Sequence, residues 1–148
     1  MSEGMDDLVR RLLHAQVMLV QMRRVVSQVP GTPSKRLATS TREECGIIDQ
    51  ILSIARTQTP DPEHLKERLT ALYHADATTQ RSGKEWVRWL AWERGSASYR
   101  ERRGVERLLH VTFHELAACI PTLVGLYGEQ ETKYIAPVEY RPQTAREV

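Results

Sequence analysis

MDDLVRRLLHAQVMLVQMRRVVSQV, residues 5–29, is the stretch that decides the fold class. Within it Met5, Leu8, Leu12, Ala15, Leu19, Met22, Val26 and Val29 recur at alternating spacings of three and four. That is a heptad seam along one helix. Asp6 and Asp7 suit the positive N-terminal end of the helix, and Pro30-Gly31 stops it. From this helix outward the sequence reads as all-α: a single helical bundle of about five or six helices over residues 1–128, followed by an extended C-terminal tail over 129–148.

The segment Pro30 to Thr39 holds Pro, Gly, Thr, Ser, Lys and Arg without apolar periodicity, and reads as a mobile basic loop. Ser40-Thr-Arg-Glu43 has the spacing of a capping box and is expected to open the second helix. Its apolar face, from Cys45 to Ala55, ends at the break Thr57 to Pro60. Asp61-Pro62 places an N-cap before a proline at the first helical position, and a third helix is expected to run from there to about Thr78. After Ser82-Gly83, Trp86, Trp89, Leu90 and Trp92 share one arc of a fourth helix that Gly95 terminates. Trp86 and Trp89 are expected to be buried, and Trp92 is left as a surface candidate. Ser98-Tyr-Arg-Glu101 is a further capping box. The helix it starts buries Val105, Leu108, Leu109, Thr112, Phe113 and Leu116 until Pro121, and a short sixth helix spans Pro121 to Tyr127. From Gly128 onward, tyrosines and Ile135 among Pro137, Pro142 and charges show no helical period and read as an extended arm.

With 148 residues, 41% hydrophobic and 27% charged, the chain suits one globular domain with a real core. Cys45 and Cys119 lie in apolar helical contexts without local pairing, which suggests reduced core thiols. No apolar run approaches about 18 residues and no basic start precedes an apolar segment, so the expected setting is cytoplasmic with no membrane contact.

The formal charge of +2 hides a segregation. Between Asp7 and Glu43 there are seven basic residues and no acid. Arg81 to Arg107 carries eight Lys/Arg against four Glu, while Glu43 to Asp76 holds seven acids against three bases. Charge sorted in this way favours a module that tracks a phosphate backbone or docks on an acidic partner.

Signals for catalysis are weaker. His110 and His114 sit one turn apart beside Glu115, a spacing that can chelate a metal from one helix face. It lacks the His-Glu-x-x-His order and supplies only two local ligands, and the plainer reading has one histidine bordering the core and the other at the surface. Glu43, Glu44 and Asp49, with Glu67 and Asp76, suggest a magnesium-holding carboxylate cluster. Glu43-Glu-Cys-Gly46 resembles the start of the MazG-like nucleotide pyrophosphohydrolase signature, although that family's next acid would fall on Ile47 and no second acidic pair appears at Asp76. A solvated acidic face near a helix N-terminus is the plainer reading. No glycine-rich phosphate loop and no nucleophile elbow is present, and no cofactor is expected. Trp86, Trp89 and Trp92 interleave with Lys84, Arg88 and Arg94, the mixture used on single-stranded nucleic acid. Helical spacing makes most such tryptophans core residues, and many arginine faces are merely solvated and paired with glutamates.

Ser98-Tyr-Arg-Glu-Arg-Arg-Gly-Val-Glu-Arg-Leu-Leu109, continuing through Glu115-Leu116 to Leu123-Val124-Gly-Leu126, resembles the C-terminal helices of the small subunit of Cascade-like CRISPR effector complexes. The likeness covers about thirty residues: a serine cap, Glu-Arg-Arg, a Leu-Leu pair, Glu-Leu and a closing Leu-rich helix. The N-terminal half does not align with that family. The resemblance implies a non-enzymatic subunit that stacks in copies of itself beside other subunits of the complex and holds RNA or DNA by the backbone, with Arg100, Arg102, Arg103 and Arg107 on matched positions. The basic run adds Arg23, Arg24, Lys35 and Arg36 as candidate phosphate contacts, since backbone contacts need cations on a rigid frame and no base-reading group. The magnesium-dependent hydrolase and a helical adaptor that recruits another protein through the heptad seam stand as alternatives.

Overall fold

The computed structural model describes residues 3–141 and is all-α among them. Five helices follow in order: α1 (Glu3–Ser27), α2 (Thr32–Ala55), α3 (Pro62–Arg94), α4 (Tyr99–Ala118) and α5 (Ile120–Ile135). One-turn 3-10 segments lie at Gly95–Ser98 and Val138–Tyr140. Each of the first four helices packs on two neighbours, α1 on α2 and α4, and α3 on the same two, so they form a four-membered ring. Cross-ties set the antiparallel sense. The Gln16 side-chain amide donates to Asp49 Oδ1 at 2.7 Å, Trp86 Nε1 donates to Ser34 Oγ at 2.8 Å, and the Tyr73 hydroxyl donates to the Leu116 carbonyl at 2.6 Å.

All eight seam residues of the first helix and its exit, Met5 through Val29, are buried. They join two apolar layers. One, at the end where α5 crosses, includes Leu12, Ile48, Leu72 and Leu123; the other includes Met22, Leu37, Trp86, Leu90 and Val105. Burial of Leu and Ile side chains at this level stabilises by about 1.5–3 kcal/mol each before entropy is counted.

Three expected boundaries move. Residues 30–39 are not a loop: Gly31, at φ 139°, turns the chain, and Pro33 sits in the first turn of α2. The inward face of that turn is Ser34 and Leu37, and Ser34 is there to accept from buried Trp86, which is why no apolar period shows. The Ser40 box is consequently interior to α2. The break expected between Thr78 and Ser82-Gly83 is absent, and α3 runs through it. A Cβ on Gly83 would stand 2.5 Å from Leu109 Cδ1, so this glycine admits α4 and does not end a helix. The arm after Gly128 is also not extended. Gly128, at φ 86°, kinks α5, helix resumes to Ile135, and Ile135, Ala136 and Tyr140 are buried in the core. Residues 142–148 of the expected tail lie outside the described residues.

Other expectations hold in part: Trp86 is buried, but Trp89, Leu108 and Phe113 are only half-buried. Asp61 caps α3, its carboxylate accepting from the Glu63 N–H at 3.1 Å, and Gly95 closes the same helix. Ser98 precedes α4 but makes no cap bond; its hydroxyl is turned to the Leu90 and Gly95 carbonyls. Cys45 and Cys119 are free and buried, and burial pushes the Cys119 thiol up to about 12. No single helix among the described residues is long and apolar enough to cross a membrane.

Candidate nucleic-acid interface

The antiparallel ring turns the segregation of charge along the sequence into a polarity in space. The C-terminal part of α1, the N-terminal part of α2, the C-terminal part of α3 and the N-terminal part of α4 share one end of the bundle, around the layer of Trp86 and Leu90. That end, residues 22–42 and 80–108, carries thirteen Lys/Arg against four Glu. The remaining described residues carry fourteen acids against seven bases. Like charges within about one Debye length, roughly 8–10 Å, reinforce one another, so this end carries a positive potential.

Arg23 and Arg24 on α1 face Arg42 on α2 across a groove of about 620 Å³. Val17, Val20 and Cys45 also line it, and Asp49 is its carboxylate. Asp49 is engaged by Gln16, and burial raises the Cys45 thiol while Arg23 pulls it the other way. Arg42 belongs to the basic run but becomes a partner of Arg23 and Arg24 only through the register of α1 on α2, which helical periodicity does not contain. Arg103 and Arg107 line a second groove of about 550 Å³ on α4 with His110. Lys35 and Arg100 are exposed at the same end.

Among the described residues, Arg23, Arg24, Lys35, Arg42, Arg100, Arg103 and Arg107 make no ion pair, whereas Arg10, Arg11, Lys66 and Arg68 at the acidic end all do. Arg36 stands 3.9 Å from Glu85, with both side chains mostly exposed, so the contact is weak. Arg102 differs from its neighbours. Its Nε donates to Ser98 Oγ at 2.9 Å and its Nη2 to the Gly95 carbonyl at 3.3 Å, which ties it into the turn between α3 and α4.

The acids of the hydrolase alternative separate. Glu43, Asp49 and Glu67 are exposed, but Glu44 and Asp76 are not the solvated face expected of them: both are fully buried between α2 and α3. Tyr140 donates to Asp76 Oδ2 at 2.7 Å, and Gln80 approaches the same oxygen at 3.5 Å. Desolvation, with Asp76 beside it, pushes Glu44 well above the usual carboxylate range. Desolvation also raises Asp76, against the hydrogen bonds that favour its charged form. Neither Glu44 oxygen has a donor, and Asp76 Oδ1 has none. Two carboxylates cannot satisfy each other, whereas one proton between them converts two acceptors into a donor and an acceptor. The proton belongs on Glu44, because Tyr140 already serves the charged form of Asp76.

His110 and His114 stack edge to face at 4.2 Å between centroids. His14 and Arg11 share Glu115, at 3.2 and 3.3 Å. Among the described residues, no group of three or more His, Cys, Asp or Glu is placed to hold a metal ion. No family model, no curated protein and no solved structure matches this chain.

Proposed function

We propose that this chain is a non-catalytic, oligomerising helical subunit of a CRISPR ribonucleoprotein that holds RNA or DNA through the phosphate backbone. Copies of itself and other subunits of the effector complex are its partners, and it works in the cytoplasm. The observation that carries the reading is the basic end, where unpaired arginines from α1, α2 and α4 stand on a rigid frame. Arginines not engaged by carboxylates are free to exchange counterions for phosphates. The resemblance of Ser98 to Leu126 to the Cascade-like small subunit supports the same role. An acidic end opposite a basic end suits head-to-tail contact between copies.

The alternatives have less behind them. A seam that recruits another protein has to be accessible, and Leu8, Leu12, Ala15, Leu19, Met22 and Val26 are wholly enclosed by the chain's own helices. A magnesium-dependent hydrolase needs its carboxylates open to metal and nucleotide, and Glu44 and Asp76 are in the core.

Fluorescence anisotropy on labelled oligonucleotides of unrelated sequence tests the proposal. Affinity is expected to vary little with sequence, and log K to fall linearly with log salt. Salt-independent binding, or strong preference for one sequence, would overturn it.

A further inference from the structure

The three tryptophans serve different ends. Trp86 is fully buried and bonded to Ser34, and Trp89 lies against Gly31, where a Cβ would come within 2.7 Å of its ring. Trp92, on the last turns of the same helix, is 84% exposed. Tryptophan has the largest apolar surface of any side chain and is rarely left in water, and nothing in the packing of this bundle requires it at position 92. Tyr99, across the Gly95–Ser98 turn, is 59% exposed.

Both rings have several cations close in sequence, against one acid each, Glu93 beside Trp92 and Glu101 beyond Tyr99. Arg88 is one helical turn before Trp92 on the same face of α3, and Arg94 is two residues beyond it. Arg102 lies over the Tyr99 ring at 5.9 Å, and Arg103 is one turn after Tyr99. Tyr134 and Val138, also exposed, have mixed charged neighbours in sequence, Glu131 and Lys133 for the one and Glu139 and Arg141 for the other. A bare aromatic face beside several guanidinium groups matches a ligand that offers flat apolar rings and negative charge together. An unpaired nucleobase with its phosphates is that ligand, whereas a duplex hides the faces of its bases.

We propose that Trp92, aided by Tyr99, stacks an unpaired base, so that the basic end engages single-stranded RNA or DNA in preference to duplex. The inference rests on the phosphate-backbone reading above and adds the form of the ligand. Arg88, Arg94 and Arg103 would hold the flanking phosphates, and the turn pinned by Ser98 and Arg102 fixes the spacing of the two rings.

The test measures binding of the wild-type chain, Trp92→Ala and Trp92→Phe to oligothymidylate, to an abasic oligomer of equal length and to a duplex. Trp92→Ala is expected to weaken oligothymidylate binding roughly five- to 150-fold, the range for loss of one base stack, and to leave abasic and duplex binding and the salt slope unchanged. Trp92→Phe should keep most of the affinity. Quenching of tryptophan emission by oligothymidylate should occur in the wild type and vanish in Trp92→Phe. Unaltered oligothymidylate affinity in Trp92→Ala would overturn the stacking role while leaving the backbone reading in place. An equal loss on all three probes would do the same, and a change of oligomeric state would reassign Trp92 to contact between copies. Failure of the wild type to bind any of the probes at low salt would remove both readings together.

Discussion

The carboxyl of Glu44 costs the fold something that a neutral group of the same shape would not. Its protonation is favoured in the folded state and not in the unfolded one, so stability due to this group is fully present below the ordinary glutamate value of 4.5 and is lost as pH rises through the elevated folded value. Asp76 acts in the same direction from 3.8 upward. Thermal melts of wild type and Glu44→Gln should therefore diverge as pH rises from about 5 to about 8, a range in which the histidines titrate alike in both proteins and cancel from the difference, with the amide variant the more stable at the upper end. The amide can still donate to Asp76, so folding is retained. A wild type and variant with parallel pH profiles would mean that the pair is not buried as described. The same substitution separates the hydrolase alternative, since an acid that holds magnesium would lose any turnover and a structural one would not. Sequence could not reveal this pair: Glu44 lies in a run of polar residues, and only the packing of α2 on α3 turns it away from water.

Among the elements, α1 was legible because its entire inward face is apolar and the period is unbroken. The start of α2 and the middle of α3 were not, since their inward positions are Ser34, Asp76, Thr79 and Gly83, residues chosen by what they meet on a neighbouring helix. The glycines make that distinction measurable. In an open helical position, Gly→Ala stabilises by up to about 1 kcal/mol. Gly46, on α2, has nothing within 4 Å of a new Cβ, and Gly46→Ala should follow that rule. Gly83→Ala should go the other way, by about 1–3 kcal/mol, because the methyl meets Leu109. Denaturant midpoints of the two variants, measured together, check the continuity of α3. Stabilisation by Gly83→Ala would restore the break that sequence alone suggested. The region after Gly128 was illegible for a related reason: Ile135, Ala136 and Tyr140 dock individually, and three anchors over six residues form no period.

For the whole molecule, the candidate site was half legible. The basic blocks are plain in the sequence, but their convergence on one end depends on four antiparallel helices, and the partnership of Arg42 with Arg23 and Arg24 depends on register. Arg102, chosen with the others from the resemblance, turns out to hold the α3–α4 turn, which makes it a poor probe of phosphate contact. The better probes are Arg103 and Arg107, exposed and unpaired on α4, where substitution should change stability by no more than about 0.5 kcal/mol. Arg56 and Lys133 are exposed cations of the acidic half and provide the control. The decisive measurement is the slope of log K against log salt for wild type, Arg103→Ala/Arg107→Ala and Arg56→Ala/Lys133→Ala on one generic oligonucleotide, with folding verified by circular dichroism. Each phosphate contact contributes about 0.9 to the slope on duplex and about 0.7 on a single strand, so the basic-end variant should lose about 1 to 2 units and the control none. A folded basic-end variant with the wild-type slope, or an equal loss in the control, would contradict the claim that this end of the bundle holds the phosphate backbone.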